Sequence, residues 1–363
     1  MKKTLHFFGC VYQKCYLCKL NERLKHTMKI SDVRGFDLLK FFMATMIVAI
    51  HTNAWESPLF HTLFWPFIRS AVPVFFVLSA FFYFKKQRVL GFSLSQLFHF
   101  IKRICMLYFF WFIINLPFIL YQSHYDLVSN TLYGNILIVL KYLFFFQFFG
   151  YPGSWFFSGL IIGVTIITLL KRYKVPDFFV GLICLYCYVF TWWSEYMSDI
   201  SSVFHQWWVD NISPKVSMSF WVALLWCFMG CLISSHSIVN LVDRHRNSFF
   251  YYSGLLLLII YLAYIVMDGT IRDYAWMNLI LVPVIVLFFY SLDLPDWNGY
   301  KLLRVMSIEI YMLHFIVLRF VRRLFPDDVV LKYFVVLLLC ILISWILIRL
   351  EQIKGFKWMS YSH

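Results

Sequence analysis

Long apolar runs, separated by short polar and charged stretches, make up most of this chain. The runs fall at about 36–52, 63–84, 104–121, 155–170, 177–193, 218–235, 249–267, 274–291, 305–320 and 329–350. A helix needs about 20 apolar residues to cross the hydrocarbon core of a bilayer, and these runs are of that order. An eleventh run, about 135–149, contains Lys141 and Gln147 and ends at Tyr151-Pro152-Gly153. An aromatic segment carrying a lysine favours the headgroup boundary, so this run predicts an interfacial helix rather than a span. The pattern predicts an all-α integral membrane protein of about ten transmembrane helices plus one interfacial helix. No internal repeat, low-complexity tract or separate soluble domain interrupts it.

Composition sharpens this reading. The 363 residues are 62% hydrophobic and only 14% charged, against roughly 45–50% and 25% in soluble domains. A soluble enzyme and a disordered chain are excluded. The formal charge of +14 raises nucleic acid as a partner, but its distribution argues for a membrane. Placing both termini in the cytoplasm puts 1–35, 85–103, 171–176, 236–248, 292–304 and 349–363 inside, and 23 of the 32 lysines and arginines fall there. The outside segments carry acids instead, among them Glu56, Asp126, Glu195, Asp210, Asp268 and Asp327. This is the positive-inside bias. Eleven full spans would invert every segment after residue 150 and destroy it.

The first 30 residues form a basic cytoplasmic tail with Cys10, Cys15 and Cys18 and no apolar core of a signal peptide. A lone Cys-x-x-Cys without further ligands is a weak metal signal, and no metal is expected. Met28 directly precedes the membrane body, so the tail is expected to be dispensable. Residues 31–350 form the single membrane domain and 351–363 a short cytoplasmic tail. The remaining six cysteines fall inside apolar runs and read as small buried hydrophobes.

Ionisable residues inside spans are costly and are functional candidates for that reason. The first span reads Arg34-Gly35-Phe36-Asp37-Leu38-Leu39-Lys40, continues apolar except for Thr45, and ends at His51. Eleven residues separate Lys40 from His51, about 20° past three full turns, so both side chains share one face about 16 Å apart along the axis. Asp37 lies within about 60° of Lys40. Considered alone, such residues are also what a snorkelling lysine and an interfacial histidine look like. Arg69 opens the polar edge of the second span, level with His51, and reads equally as a headgroup anchor. Tyr311 and His314 stand at i, i+3 in the ninth span, with Glu309 roughly 140° round the helix from His314. Trp155-Phe156 opens the fourth span after a Pro-Gly turn, as an aromatic belt also would.

Taken in order, these pieces resemble acyltransferase family 3, the multipass membrane O-acyltransferases of bacterial envelopes. Asp37-x-x-Lys40-x10-His51 looks like the family's first-span motif. Arg69-x-x-x-Pro73-x-Phe75-Phe76-x-x-Ser79 looks like its second-span signature. Trp155-Phe156 and Ser307-x-x-x-Tyr311-x-x-His314 are similar to two later elements. The matches cover the membrane body from residue 31 to about 320. Three positions depart from the pattern: Lys40 where an arginine is commoner, Ala80 where a glycine follows Ser79, and Ser154 where a histidine often precedes the Trp.

The resemblance implies transfer of an acyl group, usually acetyl, from cytoplasmic acyl-CoA to a hydroxyl of an envelope glycan or glycolipid, in the bacterial inner membrane. It implies that Lys40, Arg34 and Asp37 form the end that holds CoA. Lys40 would act as a point charge on phosphate. His51 would act as general base or covalent acyl carrier, and Arg69 would steady the developing oxyanion or orient the acceptor. Ser79, Trp155, Glu309, Tyr311 and His314 complete the candidate residues. The partners implied are acyl-CoA, a glycan acceptor and the bilayer, without nucleic acid. A polytopic transporter or flippase, with His51, Arg69 and His314 lining a path, is the alternative. Its usual inverted repeats and broken half-helices are not apparent in this sequence. A glycan polymerase would need a large outer loop rich in Arg and acids.

Overall fold

The computed structural model describes residues 33–126, 152–196, 202–211, 215–266 and 274–353. Contacts divide the chain into Met1–Arg34 and Gly35–His363, and the helices below build the second unit, apart from Arg34 at the first helix's start. They are α1 (Arg34–His51), α2 (Pro58–Leu90), α3 (Leu94–Asp126), α4 (Trp155–Arg172), α5 (Asp177–Tyr196), α6 (Ser202–Asn211), α7 (Phe220–Ile233), α8 (His236–Arg244), α9 (Arg246–Val266), α10 (Tyr274–Ser291), α11 (Gly299–Leu324) and α12 (Val329–Glu351). Among the described residues there is no strand. Each of the ten apolar runs is a helix. The basic tail, the three cysteines within it and the run 135–149 lie outside the described residues.

Helix ends follow local chemistry. Pro58 sits in the first turn of α2, where its missing N–H is no loss, and Gly91 ends that helix at φ 68°. The Asp328 carboxylate accepts from the Leu331 N–H at 2.8 Å and starts α12. Ser235 accepts from the Ile238 N–H and starts α8 after a bend of 59° from α7.

Six helical segments are long and apolar enough to cross a membrane: Pro58–Leu90, Leu94–Pro117, Trp155–Arg172, Asp177–Glu195, Arg246–Val266 and Val329–Glu351. The bent pair α7 and α8 makes a seventh if it counts as one span. The apolar part of α10 is short, Trp276–Ser291. Two of the ten are set apart by charge. Arg34, Asp37 and Lys40 lie on α1, and Lys301, Arg304, Glu309, Arg319, Arg322 and Arg323 lie on α11. Leu255, Leu258, Ile259 and Leu262 on α9, and Leu338 and Leu342 on α12, are exposed. Such faces suit lipid, where apolar exposure costs nothing and backbone groups are satisfied within each helix.

Contacts fix how the helices run. Phe36 meets Phe81 and Phe42 meets Phe67, so α1 and α2 are antiparallel. Phe76 meets Phe156, and Tyr83 bonds Thr168 at 3.1 Å, so α2 and α4 are parallel. Gly159 faces Ala223 and Gly163 faces Cys227, so α7 runs parallel to α4. Arg69 and Asn278 meet at one end of α10, and Phe81 and Tyr290 at the other, so α10 shares the direction of α2.

The core lies where α2, α4 and α7 converge. Lipid provides little hydrophobic drive between helices, so close approach through small residues matters. Gly159 and Gly163 give α4 that approach to α7: a Cβ on them would fall 3.1 Å from the Ala223 Cβ and 3.0 Å from the Cys227 Sγ. Gly230 presses α7 against the Val77 carbonyl of α2, and a Cβ there would also fall 2.8 Å from the Ala80 Cβ and 2.9 Å from the Phe81 nitrogen. Ala80, standing where the resembled family carries glycine, is therefore packed directly on Gly230. Overpacking of this kind costs about 1–3 kcal/mol. Gly230→Val is expected to lower the thermal midpoint of the detergent-purified protein, read by tryptophan fluorescence or size-exclusion recovery after heating. An unchanged midpoint would contradict the close α2–α7 contact.

Candidate functional site

The site is built from side chains of α1 and α11, walled by aromatic rings from α2 and α4. At the end of α1 that starts near Gly35, the Asp37 carboxylate is buried, at 3% exposure. Its Oδ1 lies 3.0 Å from the Nε of Arg304 on α11, whose side chain is 35% exposed. From sequence, Asp37 is a partner for Lys40; the structure brings Arg304 to it as well. Lys40 is half-buried, and its Nζ lies 4.5 Å from the centre of the Phe82 ring, a cation–π distance. Asp37, Arg304 and Arg103 are the charged groups whose fields reach Lys40. Three cations and one carboxylate therefore gather here, an arrangement with positive charge to spare for an anion.

His51 ends α1 at the other end of the stripe and is half-buried. Its ring lies 5.1 Å from that of His314 and 4.4 Å from that of Phe315, centre to centre. Hence α1 and α11 run parallel: Asp37 meets Arg304 at one end, and His51 meets His314 at the other. His314 is 1% exposed, and its Nδ1 lies 3.2 Å from the Ile310 carbonyl oxygen. The charged side chain whose field reaches His51 is Arg322, further along α11.

Rings from three sequence motifs close around this end. The Tyr311 hydroxyl donates to the Gly153 carbonyl at 2.9 Å. Its ring packs on Phe75, Phe156 and Phe157 and lies 6.1 Å from His314. A Cβ on Gly153 would fall 3.2 Å from that hydroxyl and 3.1 Å from the Phe315 ring, so the residue before Ser154 and Trp155 must be small. Trp155, half-buried, lies against Phe76 at 5.6 Å. The elements found separately in sequence around His51, Phe75-Phe76, Trp155-Phe156 and Tyr311-x-x-His314 thus meet in one place.

The other candidates have surroundings of their own. Arg69 is exposed, with its guanidinium over the Trp65 ring at 5.4 Å. Trp65 in turn stacks on His61, whose Nδ1 lies 3.0 Å from the Tyr264 hydroxyl. Ser79 is half-buried one turn beyond Phe75 on α2. Glu309 is fully buried on α11, on the side away from His314. Among the described residues no cluster of His, Cys, Asp and Glu suits a metal ion.

Sequence reasoning missed Arg304, Phe315 and Arg322. The signal for Arg304 was present. Arg304, Ser307, Tyr311 and His314 follow helical 3-4-3 spacing, so α11 repeats the cation-then-imidazole order of α1. Nothing in the sequence says that the two helices lie side by side.

The acyltransferase domain family matches residues 33–349, nearly the whole membrane body, and the chain belongs to that family, acyltransferase family 3. Over 144 residues, 38% of this chain, it is 32% identical to a protein of Enterococcus faecalis named an amino-acid racemase. That alignment covers 19% of the racemase, so the chain spans about a fifth of that relative's length. No solved structure matches significantly.

The ion pair of α1 and α11 generates a test. Removing one partner of a buried pair leaves a charge that the surroundings cannot solvate. Arg304 is partly exposed, so the loss is expected at about 1–3 kcal/mol. Arg304→Leu and Asp37→Asn should each lower the thermal midpoint, and the double variant should lose less than the sum of the two, read as a double-mutant cycle in detergent. Additive losses would deny the coupling.

Proposed function

We propose that this membrane acyltransferase moves an acyl group, most simply acetyl, from cytoplasmic acyl-CoA to a hydroxyl of an envelope glycan or glycolipid across the bacterial inner membrane. The observation that carries the reading is the polarity of the paired helices: both place a cation at one end and an imidazole at the other. Lys40 and Arg304, with Arg34 and Arg103 nearby in the sequence pattern of the inner face, receive the CoA phosphates. Lys40 contributes a point charge and Arg304 a planar fork. The stripe from Lys40 to His51 is about 16 Å long by helix rise, comparable to the reach of a pantetheine arm. The thioester carbonyl then arrives at His51.

There the hydroxyl oxygen of the acceptor attacks the carbonyl carbon. His51 takes the hydroxyl proton as general base, the C–S bond breaks, and the proton passes to the departing CoA sulfur. A covalent acyl-imidazole on His51 is the variant in which donor and acceptor need not be bound together. The rings of Phe75, Phe156, Tyr311 and Phe315 keep water from competing for the acyl group. Arg69, at the outer part of α2, is read as steadying the developing oxyanion, orienting the acceptor or anchoring in headgroups. The racemase name belongs to a protein four-fifths of which has no counterpart in the alignment, and it does not define the reaction here.

Ten spans with both termini cytoplasmic are the topology we propose. The shared direction of α2, α4, α7 and α10, opposite to that of α1 and α11, and the charge bias, support it. A reporter fused after residue 246 is expected to read cytoplasmic, and a periplasmic reading would contradict an even number of spans before α9.

For the chemistry, His51→Ala is expected to reduce acyl transfer by at least about 10²–10⁴-fold at unchanged membrane abundance. Lys40→Ala should raise apparent KM for acyl-CoA more than it lowers kcat, because phosphate anchoring contributes equally in ground and transition states. Donor-dependent acylation of envelope glycan by membranes of each variant measures both. Near-normal turnover in His51→Ala would remove His51 from the reaction.

A further inference from the structure

His314 holds a nitrogen whose state the structure determines. Its Nδ1 faces the Ile310 carbonyl oxygen at 3.2 Å. A carbonyl oxygen can only accept, so Nδ1 carries the hydrogen, and in the neutral ring Nε2 carries the lone pair. That Nε2 is buried and has no hydrogen-bond partner among the described residues. A buried polar atom left unsatisfied is costly, and each one in a native structure calls for a reason.

The neighbouring polar ring is His51, 5.1 Å away with planes inclined at 32°. Two imidazoles joined by an N–H···N bond have centres about 5 Å apart, given a donor–acceptor distance of about 3 Å and one ring radius at each end. The spacing of the two rings is therefore that of such a bond, which forms when a nitrogen of each lies along the line of centres. Phe315 packs on both rings, at 4.1 Å from His314 and 4.4 Å from His51, and holds them in register.

We propose that His314 is a positioning residue for His51: its Nε2 accepts a hydrogen bond from the His51 ring N–H and so leaves the other His51 nitrogen as the lone pair aimed at the reacting groups. The proton order runs from the Ile310 carbonyl through two rings. When His51 takes the hydroxyl proton, both of its nitrogens carry hydrogen, and the one facing His314 keeps its acceptor. His314 itself gains and loses no proton. This is the part a carboxylate plays in a Ser-His-Asp triad. A neutral imidazole suits a site in the membrane, because an ionised carboxylate there would carry a desolvation penalty.

The inference rests on His51 being the reacting base, and its test separates the two claims. Full-length protein labelled with ¹⁵N-histidine in lipid nanodiscs reports the His51 tautomer without any turnover, with the signal assigned by its absence in His51→Asn. One tautomer is expected in the unsubstituted protein and a mixture in His314→Phe, which removes the acceptor and fills the space. Acyl transfer by His314→Phe is expected to fall about 10–100-fold, as for other outer-shell partners. KM for acyl-CoA should be unchanged. His314→Gln keeps an acceptor oxygen and should recover most of the rate. If His314→Phe does not fold, His314→Leu, which also lacks the acceptor, takes its place. A tautomer mixture in the unsubstituted protein, or the same single tautomer in the variant that lacks the acceptor, overturns the proposal. Full activity in His51→Asn would instead overturn the reading of His51.

Discussion

A charge in hydrocarbon has no water around it, and that constraint organises this protein. Asp37, Lys40, Arg304 and Glu309 lie within helices that otherwise pack among apolar neighbours. Such groups are kept at bearable cost where opposite charges meet, and the 3.0 Å pair between Asp37 and Arg304 is one such meeting. It joins α1, near the start of the membrane body, to α11, near its end. Once those two ends are fixed, the parallel course of the helices brings His51 to His314. The chemical end of the site thus follows from the electrostatic end.

The surrounding helices answer a different need. Gly159, Gly163 and Gly230 let α2, α4 and α7 approach closely, where lipid offers no hydrophobic reward for association. That tight packing brings Phe75 and Phe76 on α2 and Trp155 and Phe156 on α4 to the same place as Tyr311. The resulting wall is apolar where it meets His314. A site of this kind keeps acyl transfer away from water and strengthens each hydrogen bond inside it.

Much of this was legible in the sequence. Apolar runs located ten helices, and six of them are long and apolar enough to cross a membrane. The spacing of Lys40 and His51 placed both on one face, because a helix has a fixed period. Pairings between helices were not legible. Nothing in the period of α1 says that Asp37 faces Arg304, or that Phe315 packs on His51; those depend on the order in which helices assemble. Arg69 shows the same limit: its place in a motif says nothing of the Trp65 ring over which its guanidinium lies.

The account as a whole stands on acyl transfer to an envelope hydroxyl through His51. The most direct measurement is mass spectrometry of envelope glycans and glycolipids from cells carrying the intact chain, no chain, or His51→Ala at equal membrane abundance. The account predicts an acyl-sized mass increment on one glycan class with the intact chain alone. The same glycan masses in all three strains, or an increment that persists with His51→Ala, would contradict it.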